Sequence, residues 1–115
     1  MKQYILVRTD KKFPVGKIMA HCSHNAVKNF KKEMYYEDLG FRHTEWFYNN
    51  DMTTIVLDGK SLVDIERILK QAEDMKIPTS FIEDIHLKQK ICAVVGPVDN
   101  EEAKVLGLSK LRLYK

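Results

Sequence analysis

The chain has little of what would push a small protein away from an ordinary packed core. Its 115 residues include two cysteines, too few for the disulfide framework that staples small secreted domains. Three prolines and five glycines, scattered along the chain, leave no low-complexity segment, internal repeat or domain linker. No apolar stretch approaches the roughly 20 residues of a membrane-spanning helix, and Ile5-Leu6-Val7 is cut off by Arg8 and Asp10 too early to act as a secretory signal. One globular domain over residues 1–115 is expected, with Cys22 and Cys92 as buried small hydrophobes rather than a disulfide, in a reducing, cytoplasmic setting.

Acidic residues are scarce at one end. Residues 1–36 hold eight Lys or Arg against Asp10 and Glu33, a net of +6, which leaves −3 for the remainder of a chain whose total is +3. Within that segment Lys17, His21, His24, Lys28 and Lys31 follow one another at three- or four-residue steps, so on a helix they form one basic ridge. Such a ridge is either a solvated face or a seat for a phosphate backbone.

What is present reads as alternating elements. Tyr4-Ile5-Leu6-Val7 is a buried strand. A loop through Gly16 follows, then a helix whose apolar face carries Ile18, Cys22, Ala26 and Phe30, with Met19, Val27 and Met34 alongside. This predicts Phe30 in the core. An anion near Gly16 would meet free helix N–H groups as well as Lys17, although the loop is neither GxGxxG nor GxxxxGK[ST]. A short helix around Trp46 precedes the strand Thr53 to Leu57, closed by Asp58-Gly59. Ser61, with Asp64 three residues on, starts a helix carrying Leu62, Ile65, Leu69, Ala72 and Met75, which Ile77-Pro78 ends. Thr79 to Glu83 and Lys90 to Val95 form a hairpin. Asn100 caps a helix through Leu106 that Gly107 stops, and Leu111 and Leu113 lie on a last strand. The order β-α-β-α-β-β-α-β predicts a three-layer α/β domain, a mixed four- to five-stranded sheet with helices on both faces.

The opening segment, with Arg8, Asp10, Gly16, Lys17, Ala20, His24 and Ala26 in step, resembles the type II peptidyl-tRNA hydrolase family, whose opening reads roughly VRxDLxMGKGKxAAQxxHA. The resemblance continues through Trp46, Thr54-Ile55-Val56-Leu57, Ile77-Pro78-Thr79, Ile82, Asp84, Gln89, Gly96-Pro97 and Lys104-Val105 to Leu113, nearly the whole chain. It implies cleavage of the ester between a peptide and tRNA, tRNA as partner, no metal or other cofactor, and pairing as a homodimer. By the same resemblance Lys17 is the essential basic residue, able to bind phosphate or polarise the carbonyl. Asp84 is the matching carboxylate, orienting water or Lys17, and Asp10 could hold Lys17 by charge pairing. Substrate contacts are then expected from Asp10, Gly16, His21, His24, Lys28, Lys31, Lys88 and Gln89.

Two places depart from the family pattern. Its Gln in AAQ is His21 here, and its DAGRTQ is Asp84-Ile85-His86-Leu87-Lys88-Gln89, which keeps the ends and loses the glycine, the arginine and the threonine. His21 or His86 could supply polar contacts, and Lys88 the missing arginine's charge. Fold and tRNA affinity tolerate such changes more readily than catalysis, so a relative that binds tRNA or another phosphorylated ligand without cleaving it stands as the alternative. Two other chemistries have less behind them. His21 and His24 lack a third metal ligand of suitable spacing, and Cys22 has no histidine on its own helical face. Trp46 and Phe47 could stack on a terminal base or cover the sheet.

Overall fold

The computed structural model describes residues 1–34 and 40–115. Among them the main sheet has four strands, built around β1 (Lys2–Arg8). β1 pairs in parallel with β2 (Thr54–Lys60) and antiparallel with β6 (Cys92–Val98), and β6 pairs antiparallel with β3 (Thr79–Ser80), so the order is β2-β1-β6-β3. Both faces of β1 are buried, which is why it reads as a continuous apolar run rather than an alternating one. Ile5 and Val7 face the long helix α1 (Val15–Met34) through Ile18. Tyr4 and Leu6 face α3 (Leu62–Asp74) through Ile65, Leu69 and Ala72, and on the same side Ala103 of α4 (Asn100–Val105) and Leu106 and Leu108 complete the core. This is an α/β fold with a mixed four-stranded sheet and helices packed against it. The remaining helix, α2 (Gly40–Asn49), carries Trp46, whose indole N–H donates to the Thr53 carbonyl at 2.8 Å. No helix among the described residues is long and apolar enough to cross a membrane.

Local chemistry sets the element ends. Ser61 and Asp64 form a full capping box at the start of α3. At α4 the cap is Asp99, one residue earlier than Asn100, because Asp99 and Glu102 can satisfy each other's backbone N–H groups. Gly107 follows α4 at φ 77°, the left-handed stop that glycine adopts most cheaply.

Other expectations need correction. The hairpin is broken in two: β3 joins the main sheet, whereas β4 (Glu83–Asp84) and β5 (Gln89–Lys90) form a separate two-stranded ribbon. Phe81 lies between them, half-buried. Leu111 to Leu113 is no strand but an extended tail after a 3₁₀ turn (Leu108–Lys110), touching β2 by one bridge between Leu57 and Leu113.

The largest correction concerns α1. Residues four apart advance by about 40° around a helix with 3.6 residues per turn, so the row Ile18, Cys22, Ala26, Phe30, which starts at the centre of the contact, winds off the sheet, while the row from His21, which starts on the other side of Ile18, winds across it. Ile18 is buried, Cys22 and Ala26 are half-buried, and Phe30 is 42% exposed, edge-on to the His43 ring at 5.1 Å. The face that stays on the sheet is Ile18, His21, Asn25, Asn29 and Glu33, mostly polar. Met19 and Val27 are exposed, and the packing expected of the Met34 side chain lies outside what the structure describes.

A close approach at Gly59 depends on the lack of a side chain. A Cβ at Gly59 would stand 2.8 Å from two Ile65 carbons and 3.1 Å from the Leu6 Cβ, so α3 reaches β2 because position 59 has no side chain. Gly59→Ala should therefore cost about 1–3 kcal/mol by overpacking, and Leu6→Ala about 2–5 kcal/mol by cavity formation. Phe30→Ala, at a position that keeps much of its solvent, should cost less than Leu6→Ala. Urea unfolding of the three variants checks the ranking, and a Phe30→Ala loss equal to that of Leu6→Ala would contradict it.

Candidate active site

Chain leaving β1 runs through Thr9 to Pro14 and enters α1 at Val15, where the amides of Lys17 and Ile18 both donate to the Pro14 carbonyl. Gly16 thus lies in the first helical turn rather than in a glycine loop, and a Cβ there would meet nothing within 4 Å. Lys17 and His21, four residues apart, project the same way. Both reach one oxygen of Asp84: Lys17 Nζ donates to Oδ2 at 3.1 Å and His21 Nε2 lies 2.8 Å from it. The ionised carboxylate only accepts, so Nε2 carries the proton.

Asp84 ends β4, and the turn that follows folds back on it. Its Oδ1 accepts the backbone N–H of His86 at 2.9 Å and of Leu87 at 2.7 Å, an aspartate turn. Four donors thus surround a residue only 4% exposed. The Leu87 amide first, then His21 and Lys17, hold its carboxyl well below the usual carboxylate range against the opposing effect of burial. A carboxylate so held does not take up a proton near neutral pH. Its role in this arrangement is to hold Lys17, whose side chain remains 35% exposed with N–H donors to spare.

A second cluster adjoins the first. Arg8, buried at the end of β1, donates through Nε and Nη2 to both oxygens of Asp10 (3.0 and 2.9 Å) and through Nη1 to Gln89 Oε1 and the Lys90 carbonyl (3.1 and 3.0 Å). Asp10 therefore pairs with Arg8, not with Lys17, and Arg8 keeps its carboxyl low. Gln89 is the residue opposite Asp84 on the β4–β5 ribbon, so the Arg8 fork ties the loop after β1 to the strand beside Asp84. A cavity of about 350 Å³ opens on this cluster, between Lys11, Phe13, Ile18 and Tyr114.

The basic ridge divides. His24, Lys28 and Lys31 are exposed on the flank that begins with Lys17, whereas His21 turns inward and is 8% exposed. Lys88 is exposed in the turn beyond Asp84, with φ 53°.

Sequence reasoning passed over two residues. Arg8 was visible as a residue of the family-like opening and as the charge that stops an apolar run, but no role followed from either, although a guanidinium at the end of a buried strand has to find acceptors. Asn25 gave no signal, because a polar residue on a helix is ordinarily read as exposed. In the structure it is fully buried and all four of its hydrogen-bonding positions are used. Nδ2 donates to the carbonyls of His21 (2.8 Å) and Cys92 (3.1 Å), and Oδ1 accepts from Ser80 Oγ (2.9 Å) and the Ile82 amide (3.0 Å). It joins the helix bearing Lys17 to the segment that leads into Asp84.

The Asp84 contacts have a pH signature. A carboxyl whose folded-state affinity for protons is lowered contributes stability above its unfolded pKa, about 3.9, and loses that contribution as pH falls toward the folded value. The stability gap between wild type and Asp84→Asn should be full at neutral pH and shrink below about pH 4. Denaturant titrations at several pH values measure it, and a gap that widens with acid would remove the ionised carboxylate from this account.

The whole chain has known counterparts. Residues 1–114 match the family model described as peptidyl-tRNA hydrolase PTH2. The peptidyl-tRNA hydrolase of Thermococcus sibiricus is 30% identical over 123 aligned positions, covering 96% of this chain and 96% of that protein. That of Saccharolobus solfataricus is 32% identical over 104 positions, covering 84% and 86%. A strand-to-helix segment that delivers a lysine to a buried aspartate thus sits in a chain matched almost end to end, and the chain belongs to the peptidyl-tRNA hydrolase PTH2 family.

Proposed function

We propose that this chain hydrolyses the ester of peptidyl-tRNA at the Lys17–Asp84 pair. The observation that carries the reading is a partly exposed ammonium held at 3.1 Å on a carboxylate that three other donors lock in place. Ester hydrolysis adds water to the acyl carbon, places negative charge on the former carbonyl oxygen, then breaks the bond to the ribose oxygen, which leaves with a proton. Lys17 directs its free N–H groups at that developing oxyanion or at the adjacent phosphate. Asp84 orients Lys17 and does not serve as base. Asp10 and Gln89, linked through Arg8, would lie beside the substrate at this pair, and the exposed first turn at Gly16 leaves room for an anion.

The departures from the family pattern leave these contacts in place. Asp84 is held by the amides of His86 and Leu87, which any residue in that turn supplies, and His21 Nε2 donates where a glutamine amide would. The tRNA backbone would lie along His24, Lys28 and Lys31, with Lys88 adding a charge from the far side of the cleft.

Single-turnover cleavage of N-blocked aminoacyl-tRNA tests the reading. Lys17→Ala should lower the rate by about 100-fold or more, the scale of losing a group that stabilises an oxyanion, with the fold intact by circular dichroism. Lys28→Glu and Lys31→Glu should instead weaken tRNA binding whatever the RNA sequence, each reducing the salt slope by about 1. Wild-type protein that binds tRNA and never cleaves the ester would establish the non-catalytic alternative.

The homodimer implied by the family resemblance would use the flank of α1 that leaves the core, along which Met19, Val27 and Phe30 are exposed. Wild type should sediment as a dimer and Val27→Asp as a monomer. A wild-type monomer at all concentrations would reject the pairing.

A further inference from the structure

The two cysteines, 70 residues apart in sequence, meet beside the Lys17–Asp84 pair. Cys22 Sγ on α1 lies 3.3 Å from Cys92 Sγ at the start of β6, both as free thiols. They are unequal: Cys22 is half-buried, within reach of a small oxidant, and Cys92 is fully enclosed. Their positions are held independently of the sulfurs, because Asn25 on the next turn of α1 donates to the carbonyl of Cys92 itself. The pair is therefore placed by the fold, not brought together by chance collision.

We propose that Cys22 and Cys92 are an oxidative modification site, at which a hydroperoxide converts the pair into a disulfide that ties α1 to β6 next to His21. In the first step the Cys22 thiolate attacks the peroxide oxygen, a water or alcohol leaves, and Cys22 becomes a sulfenic acid. In the second, the Cys92 sulfur gives up its proton and attacks Cys22 sulfur, releasing water. Two thiols lose two electrons in total, and one peroxide is reduced. The division of labour follows the environments: the thiol proton shared between the sulfurs favours the Cys92 side, which lowers the pKa of Cys22, while the same contact and burial raise that of Cys92. Closing the bond brings the sulfurs from 3.3 Å to about 2.05 Å, a movement divided between rotation of the two side chains and a shift of α1 at the residue next to His21. Misplacement on that scale costs up to about 100-fold in rate when it reaches reacting groups.

The test treats the reduced full-length chain with hydrogen peroxide and maps it under non-reducing conditions. The expected product is a single intramolecular Cys22–Cys92 linkage, two hydrogen atoms lighter, that dithiothreitol reverses. Cys22→Ser should leave Cys92 unreacted. Cys92→Ala should leave Cys22 as a sulfenic acid trapped by dimedone. Wild type that accumulates Cys22 sulfinic acid with no linked peptide, or forms only intermolecular disulfides, overturns the site. A second readout rests on the hydrolase reading: peroxide should reduce ester cleavage by about tenfold or more, reversibly, in wild type and not in Cys22→Ser. Linked protein that cleaves at the unoxidised rate overturns the coupling to His21. If the reduced wild type never cleaves the ester, the hydrolase reading fails, and the peptide map still decides the modification.

Discussion

How α1 sits relative to the strand ending in Asp84 rests on the side chain of Asn25. A buried amide must find partners for two donors and an acceptor, and each one left unpaired would cost about 1–3 kcal/mol. Asn25 finds them on three separate pieces of chain: its own helix, β6, and the Ser80–Ile82 segment. Sliding α1 by one turn would break the three that leave the helix at once. The same register delivers Lys17 and His21, two turns and one turn earlier, to Asp84, so a residue that touches no reacting atom sets the geometry of those that could.

The rest of the helix–sheet contact follows the same logic. Asn29 donates to the Gly96 carbonyl at 2.8 Å, and beyond the sheet Glu33 meets the backbone N–H and the imidazole of His43 on α2. Burial lowers the His43 pKa to about 4. Hydrophobic contact alone is non-directional and would let α1 slide or rotate on the sheet. A row of hydrogen bonds to specific carbonyls does not, which explains why the helix that carries the site is bound through polar groups. By contrast α3, which bears no site residue, is bound through Ile65, Leu69 and Ala72.

Asp84 shows how burial changes a residue's chemistry. An exposed aspartate could act as a base; enclosed by two backbone amides, a histidine and a lysine, it is a fixed negative charge. Its influence passes through Lys17, whose ammonium it holds at the surface. Arg8 does the parallel service for the loop after β1, and the two ion pairs meet where Gln89 stands opposite Asp84. The candidate site is thus assembled from separate local pairings that share one ribbon.

By itself the sequence determined the elements whose causes are local. The apolar run of β1, the capping box at Ser61 and Asp64, the glycine stop at 107 and the α/β order all follow from periodicity, side-chain capping and backbone preference, which act within a few residues. The likeness of Lys17 and Asp84 to a family motif was also legible, as was the excess of positive charge at the N-terminal end. Which side of α1 faces the sheet was not legible from an i+4 apolar row, because such a row winds around the helix and its late member Phe30 emerges into solvent. The partner of Asp10, the inward turn of His21, the division of the hairpin and the meeting of Cys22 with Cys92 were likewise decided by tertiary structure. In each case the reason is the same: a buried polar or polarisable group takes whatever complementary group the packed chain brings to it, and that group is supplied by residues distant in sequence.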